Sequence, residues 1–440
     1  MRRFVVFSVL VLLGCASKSQ DFDKDRLDSL FSIIDANQKG MGSVAIFKGG
    51  KEVYHHSVGF ADIEKGLKAN PETKYRIGSI SKTFTSAIVM QLVEEGKLSL
   101  DARLADFYPG MPNADVITIE QMLRHRSGLY NFTNSPAYLQ WMVDPKSEEE
   151  LIKIFVENGT VFSPGEKFEY SNTNYVLLSF IIEKVEKKPL ADVLADRITK
   201  PLALASTYYG GKIGSKPNEA RSYTMSDRWT QATETDMSIP TGAGAIVSTP
   251  ADLCRFFNAL FKGEVVSKES LDKMTDLVDG YGLGLFQIPF YERKAYGHNG
   301  GIDGFQSNAS YFPEDDVVVA YTTNGTVMAM NDILIGLLSI YFDKNYDFPT
   351  FAPVIDVASE DLDQYLGIYS SKALPLKITV TKNGNQLMAQ ATGQGAFPLQ
   401  PYEAHKFRFD QAGIKMEFIP DDKKMILIQG GGRFEFILGD

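Results

Sequence analysis

Hydrophobic and polar positions along this chain change period five times. From Asp23 to Ala36 the apolar residues Leu27, Leu30, Phe31 and Ile34 fall at helical spacing, which predicts a first amphipathic helix. Gly42 to Lys48 and Glu52 to Phe60 read as strands joined at Gly49-Gly50, and Tyr75-Arg76-Ile77 leads into a glycine turn. After Gly78 the apolar residues Ile80, Phe84, Ala87, Ile88, Leu92 and Val93 return to helical spacing, and Gly96 marks the stop.

From Ser81 to about Phe261 the pattern is mostly helical, with helices expected at Thr118 to His125, Ser147 to Val156, Asn172 to Lys187, Pro189 to Lys200 and Thr249 to Phe261. Strands return at Tyr281 to Ile288, Arg293 to His298, Gln306 to Phe312 and Val317 to Thr323, before a last apolar helix from Met330 to Phe342. Sheet segments at both ends with helices between imply an α+β fold. Its antiparallel sheet is flanked by helices, with an inserted helical subdomain and a cleft at the seam. Residues 345–358, with Pro349 and Pro353 and no period, read as a linker after a domain spanning 23–344. Residues 359–440 carry only short alternating runs: Leu376 to Thr381, Gln386 to Ala391, Lys406 to Asp410, Lys415 to Ile419, Met425 to Gln429 and Phe434 to Leu438. With Asn383-Gly384 as a hairpin turn, they predict a small all-β barrel or meander.

The composition fits a globular protein of 440 residues, 44% hydrophobic and 23% charged. A formal net charge of −10 without a basic run argues against a nucleic-acid partner. The N-terminus adds a location. Arg2-Arg3 followed by the apolar run Phe4 to Leu13 is too short to span a membrane and fits a signal peptide over 1–14. Leu12-Leu13-Gly14-Cys15 resembles a bacterial lipobox. Cys15 is then the lipidation site, 15–22 a tether, and the protein extracytoplasmic, lipid-anchored on a periplasmic or outer-membrane face. An ordinary cleaved signal is the alternative. Cys254 remains as a lone thiol on an apolar helix face, which rules out a disulfide framework.

Candidate chemistry begins at Ser79 and Lys82. Three apart at a helix start, they share one face, so the amine can reach the hydroxyl and act as its base once burial lowers the lysine pKa. By itself S-x-x-K is common. A second group is Tyr170 and Asn172: a phenol beside a lysine ammonium can be pushed toward phenolate and shuttle protons, and the amide can hold Lys82 and a substrate carbonyl. The residues alone leave open a packing role for Tyr170 and a helix N-cap for Asn172. A third is His298-Asn299-Gly300-Gly301, where a strand runs into a glycine-rich bend. There the Gly301 N–H and the Ser79 N–H can form an oxyanion hole, and His298 can bond a substrate carboxylate or the Tyr170 hydroxyl. A histidine satisfied within a turn is the alternative.

S-x-x-K, Y-x-N at Tyr170–Asn172 and H-x-G at His298–Gly300, in that order, resemble the three motifs of the serine β-lactamase and penicillin-binding-protein superfamily. Leu123-Arg-His-Arg-Ser-Gly-Leu129 and Gly242-Ala-Gly-Ala-Ile-Val-Ser-Thr-Pro250 are similar to further motifs of that family. Y-x-N rather than S-D-N is similar to the branch of class C β-lactamases, DD-carboxypeptidases, D-aminopeptidases and esterases. His298 stands where class C β-lactamases have lysine. The trailing β domain is similar to lipocalin-like domains appended to some D-peptidases, where a role in shaping or shielding the cleft is expected.

The resemblance implies a serine hydrolase working through an acyl-enzyme, with Ser79, Lys82 and Tyr170 catalytic and Asn172, His298, Gly300 and Gly301 binding substrate or oxyanion. No cofactor or metal is required. It implies D-amino-acid-containing peptides first, short esters second and β-lactams third. A binding or sensing protein that acylates without turnover is the alternative of a different class. There is no G-x-S-x-G, H-E-x-x-H or C-x-x-C to support other chemistries.

Overall fold

The computed structural model describes residues 22–226, 228–351, 354–430 and 432–439. The expected signal peptide and Cys15 lie outside the described residues. Six antiparallel strands form the main sheet in the order Phe286–Phe290, Arg293–Ile302, Phe305–Phe312, Val317–Thr326, Gly40–Lys48 and Lys51–Val58. N- and C-terminal segments meet in its middle, where Lys48 pairs with Val317 and Gly40 with Thr326.

Alternation explains why both faces are covered. On Gly40–Lys48, Val44 and Ile46 face the helices Lys24–Ala36 and Met330–Tyr341, whereas Ala45 and Phe47 face a larger core built on Ser81–Glu94 and Pro250–Phe261. Such burial of successive residues on opposite faces fixes the register, because a slip of one residue would exchange the two cores. Asp23 caps the first helix, its carboxylate accepting from the Arg26 N–H.

The middle of the chain departs from the helical expectation in one respect. Short strands occur at Tyr208–Tyr209, Tyr223–Met225, Trp229–Gln231 and Ile246–Ser248. Elements of two or three residues leave no period to read. The strand expected from Tyr281 instead runs Phe286–Phe290, because Gly282 packs against the Met274 carbonyl and Gly284 against the central helix, where Thr83 Oγ1 donates to Gly284 O at 2.8 Å.

The C-terminal segment closes into an eight-stranded antiparallel barrel, Gly367–Ser370 to Gly432–Leu438, sealed by the pairs Tyr369–Leu438 and Ser370–Ile437. Gly367–Ser370 and Phe397–Glu403 are the two strands that alternation does not reveal. The second carries Pro398 and Pro401, which argue against a strand, and it accommodates them beside an irregular register at Pro401 to Glu403. The interior is filled by inward residues such as Ile378, Val380, Leu387, Met416, Met425 and Phe436, all nearly inaccessible. The barrel meets the first domain through the Lys39–Asp410 ion pair and the packing of Gly413 on Asp332.

Candidate active site

A small sheet sets the start of the site. Tyr75–Arg76 pairs with Ile246–Ser248, and the chain then turns at Gly78, whose φ of +50° suits glycine, into a 3-10 turn over Gly78–Ile80 and the helix Ser81–Glu94. Ser79 is half-buried on the turn and Lys82, one turn later, is 0% exposed. Its Nζ lies 2.9 Å from Ser79 Oγ, 2.8 Å from Asn172 Oδ1 and 2.8 Å from the Ala243 carbonyl oxygen.

These three partners can satisfy either protonation state of Lys82, and burial decides between them. Burial without a neighbouring carboxylate pushes its amine well below the ordinary lysine value. A neutral amine has two N–H donors and one lone pair. Asn172 Oδ1 and Ala243 O can only accept, so they take the two donors, and the lone pair is left facing the one partner able to donate, the Ser79 hydroxyl. The amine is therefore fully satisfied when deprotonated.

The orientation of Asn172 is fixed from behind. Its Nδ2 donates to Asn131 Oδ1 and Thr133 Oγ1, both at 3.2 Å, and its backbone N–H donates to Asn131 Oδ1 at 2.9 Å, which turns Oδ1 toward Lys82. Asn172 is the first residue of the helix Asn172–Glu186 rather than its N-cap. Tyr170 lies across the amine, with Lys82 Nζ 4.9 Å from its ring centroid. Burial raises its hydroxyl above the ordinary phenol value, and a hydrogen bond with Ser79 opposes this. That corrects the expectation of a phenolate beside an ammonium: desolvation favours a neutral phenol beside a neutral amine.

The strand Arg293–Ile302 forms the opposite wall. Its outer neighbour Phe286–Phe290 pairs only as far as Gly297, and the Gly78 turn packs where that pairing ends. A Cβ on Gly300 would sit 1.9 Å from Ile77 O, and one on Gly78 would sit 2.7 Å from the Gly301 nitrogen. Only glycines allow this approach, which sets the Gly301 N–H beside the first turn, where the N–H groups lack intrahelical acceptors.

His298 differs from its expected role. It is 1% exposed; Nδ1 donates to Asn299 O at 2.5 Å and Nε2 accepts from the Tyr281 hydroxyl at 3.1 Å. Burial lowers its pKa to about 3. Both nitrogens are thus committed to protein, and the ring is neutral. It forms part of the wall, and its ring nitrogens bond Tyr281 and Asn299 rather than Tyr170.

Two cavities meet at Ser79. One, of about 320 Å³, has an apolar lining that includes Phe132, Tyr138, Leu139, Met142 and Ile302. The other, of about 730 Å³, runs along Tyr170, Phe286 and the strand at His298 to Ile302. Among the described residues, neither lining contains Arg or Lys, and neither contains a barrel residue. Beyond Asp303, Arg76 is 2% exposed and bonds the Asp303 carboxylate at 2.8 Å, Glu234 at 2.7 Å and the carbonyls of Thr235 and Gly211. Thr235 N–H and Oγ1 complete the Asp303 shell at 3.0 and 2.7 Å.

The structure thus brings Ser79, Lys82, Tyr170, Asn172, Gly300 and Gly301 to one place, with His298 behind them. Sequence reasoning did not single out Asn131, the Ala243 carbonyl, Tyr281 or Asp303. Asn131 follows the Leu123–Leu129 motif by two residues and Ala243 lies inside the Gly242–Pro250 motif, so motif proximity was the available signal.

The Beta-lactamase family model matches residues 30–336. The solved D-amino acid amidase from Ochrobactrum anthropi SV3, complexed with L-phenylalanine amide, is 27% identical, covers 72% of this chain and 99% of its own, and superposes with a TM-score of 0.65. The octameric penicillin-binding protein homologue from Pyrococcus abyssi, also 27% identical, covers 94% of this chain and 99% of its own with a TM-score of 0.68. The teichoic acid D-alanine hydrolase of Staphylococcus aureus is 26% identical over 315 residues, 70% of this chain and 74% of the relative. With its three motifs assembled around one cleft, the chain belongs to the β-lactamase family of serine hydrolases.

Proposed function

We propose that this protein hydrolyses D-aminoacyl amides and esters through an acyl-enzyme on Ser79. The observation that carries the proposal is the Lys82 amine, buried, with no carboxylate bonded to it among the described residues, and 2.9 Å from the Ser79 hydroxyl oxygen. Ser79 Oγ attacks the acyl carbon as its proton passes to Lys82, and the Ser79 and Gly301 N–H groups receive the oxyanion. Tyr170, a neutral phenol, then gives its proton to the leaving amine or alcohol. At that point Lys82 is an ammonium and Tyr170 a phenolate. In deacylation the phenolate takes a proton from water, the hydroxide attacks the ester, and Lys82 returns its proton to Ser79 Oγ.

The walls of the cleft support the choice of substrate. A DD-carboxypeptidase or a β-lactamase substrate brings a carboxylate, and among the described residues the cavities at Ser79 are lined by no Arg or Lys to receive one; the neutral His298 does not substitute. An uncharged or ammonium-bearing acyl group with an apolar side chain fits the smaller cavity. Short esters fit the same walls and are the second reading. D-amino acid amidase and D-alanine hydrolase activities among the relatives agree with this ranking. Delivery to a membrane surface through lipidated Cys15 belongs to the same proposal.

The test compares kcat/KM for D-alanine p-nitroanilide, p-nitrophenyl butyrate, a diacyl-D-alanyl-D-alanine peptide and nitrocefin. The two substrates without a carboxylate should exceed the other two by at least about tenfold, the scale of one lost charge-assisted hydrogen bond. Faster turnover of the carboxylate-bearing peptide would overturn the ranking, and acylation by any of them without release would favour the sensing alternative.

A further inference from the structure

Tyr170 has to be held over Lys82 although residues 167–171 belong to no helix or strand. The side chain and backbone that hold it belong to His125, a fully buried residue that the proposed mechanism leaves unused. The His125 carbonyl accepts from the Glu169 N–H at 3.0 Å, and its Nδ1 accepts from the Ser171 N–H at 3.1 Å. Between those two clamps its ring lies against the Tyr170 ring, centroids 4.2 Å apart. One residue thus grips both neighbours of Tyr170 and the ring itself.

The tautomer follows from the same contacts. Two donors, the Ser171 N–H and Asn174 Nδ2 at 3.4 Å, converge on Nδ1, which must therefore carry a lone pair. Asn174 is held in that sense by Ser127, whose hydroxyl donates to its Oδ1 at 2.6 Å. The proton then sits on Nε2, which is buried without a hydrogen-bond partner among the described residues, close to the rings of Tyr175 and Tyr281. An unpaired buried N–H costs free energy that a leucine or phenylalanine would avoid. His125 also adopts φ of +54°, which histidine and asparagine tolerate better than apolar residues. A position that only packed the core would gain from an apolar residue.

We propose that His125 is the positioning residue for Tyr170, its Nδ1 acceptor and its carbonyl fixing the segment that aims the phenol at Ser79. The inference rests on the reading of Tyr170 as the proton shuttle. His125→Phe keeps a ring and deletes the acceptor, leaving the Ser171 N–H unpaired. His125→Asn keeps an acceptor at the δ position and tolerates the backbone conformation.

The experiment measures kcat and KM for D-alanine p-nitroanilide and p-nitrophenyl butyrate in the full chain, for wild type, His125→Phe, His125→Asn, Tyr170→Phe and the His125→Phe/Tyr170→Phe double variant. His125→Phe should lower kcat about tenfold or more with KM within about twofold, as a misaimed group does. His125→Asn should recover most of that loss, and the double variant should be no slower than Tyr170→Phe alone, since His125 acts only through Tyr170. Losses that multiply in the double variant, or a His125→Asn as slow as His125→Phe, would overturn the positioning role. Wild-type kcat in Tyr170→Phe would instead defeat the shuttle reading and this inference with it. Should His125→Phe fail to fold, His125→Gln replaces it: its amide lies one carbon too far to serve Ser171, and the same comparison with His125→Asn decides.

Discussion

Replacing Lys82 by methionine tests the charge assigned to the amine through stability alone, with no substrate needed. Methionine matches the lysine stem in length, leaves the helix intact and removes the titrating group. In the folded wild type, burial holds Lys82 below its ordinary value near 10.5, whereas in the unfolded chain it titrates normally. Between the lowered folded value and about 10.5 the unfolded state therefore binds one more proton than the folded state, and stability from this group rises with pH. The slope is about 1.4 kcal/mol per pH unit. Every other titrating group is shared with Lys82→Met, so the difference between the two proteins isolates Lys82. The assay is urea unfolding at about pH 8 and about pH 9, in the upper part of that window. Tryptophan emission provides the signal, since Trp141 and Trp229 both lie in the first domain and report on it apart from the barrel. Relative to Lys82→Met, the wild type should gain about 1.4 kcal/mol between those two pH values. Parallel stabilities would mean that Lys82 is an ammonium in the folded protein and would refute the neutral-base argument.

Other residues give independent tests. Gly300→Ala drives a methyl into the Ile77 carbonyl and should abolish fluorophosphonate labelling, whereas Gly211→Ala, with open space around the added carbon, should label at the wild-type rate. Arg76→Met leaves the Asp303 carboxylate buried without its guanidinium and should cost about 3–5 kcal/mol in urea unfolding. Asn131→Ala frees the Asn172 amide to turn away from Lys82, so kcat for p-nitrophenyl butyrate should fall about tenfold while the unfolding midpoint moves little.

Much of the site was legible because its parts are local in sequence. Ser79 and Lys82 stand one helical turn apart, and Tyr170 and Asn172 stand on one short stretch, so spacing alone brings each pair together. Lys82 and the Ala243 carbonyl meet across 161 residues, and a backbone acceptor leaves no residue signature. His298 reads as a polar residue at a glycine-rich bend, hence as a substrate contact. Its true partner, Tyr281, sits in a loop whose glycines hid both its conformation and its burial. The main sheet was legible where a strand is a long apolar run buried on both faces, as on Gly40–Lys48, and illegible where strands shrink to two residues or carry proline, as on Phe397–Glu403.

The central claim is that Ser79 is an activated nucleophile, and intact-protein mass spectrometry after exposure to a fluorophosphonate tests it most directly. The account predicts one covalent adduct on the wild type, mapped to Ser79 by peptide analysis, and none on Ser79→Ala. An adduct of equal yield on Ser79→Ala, or an unlabelled folded wild type, would contradict it.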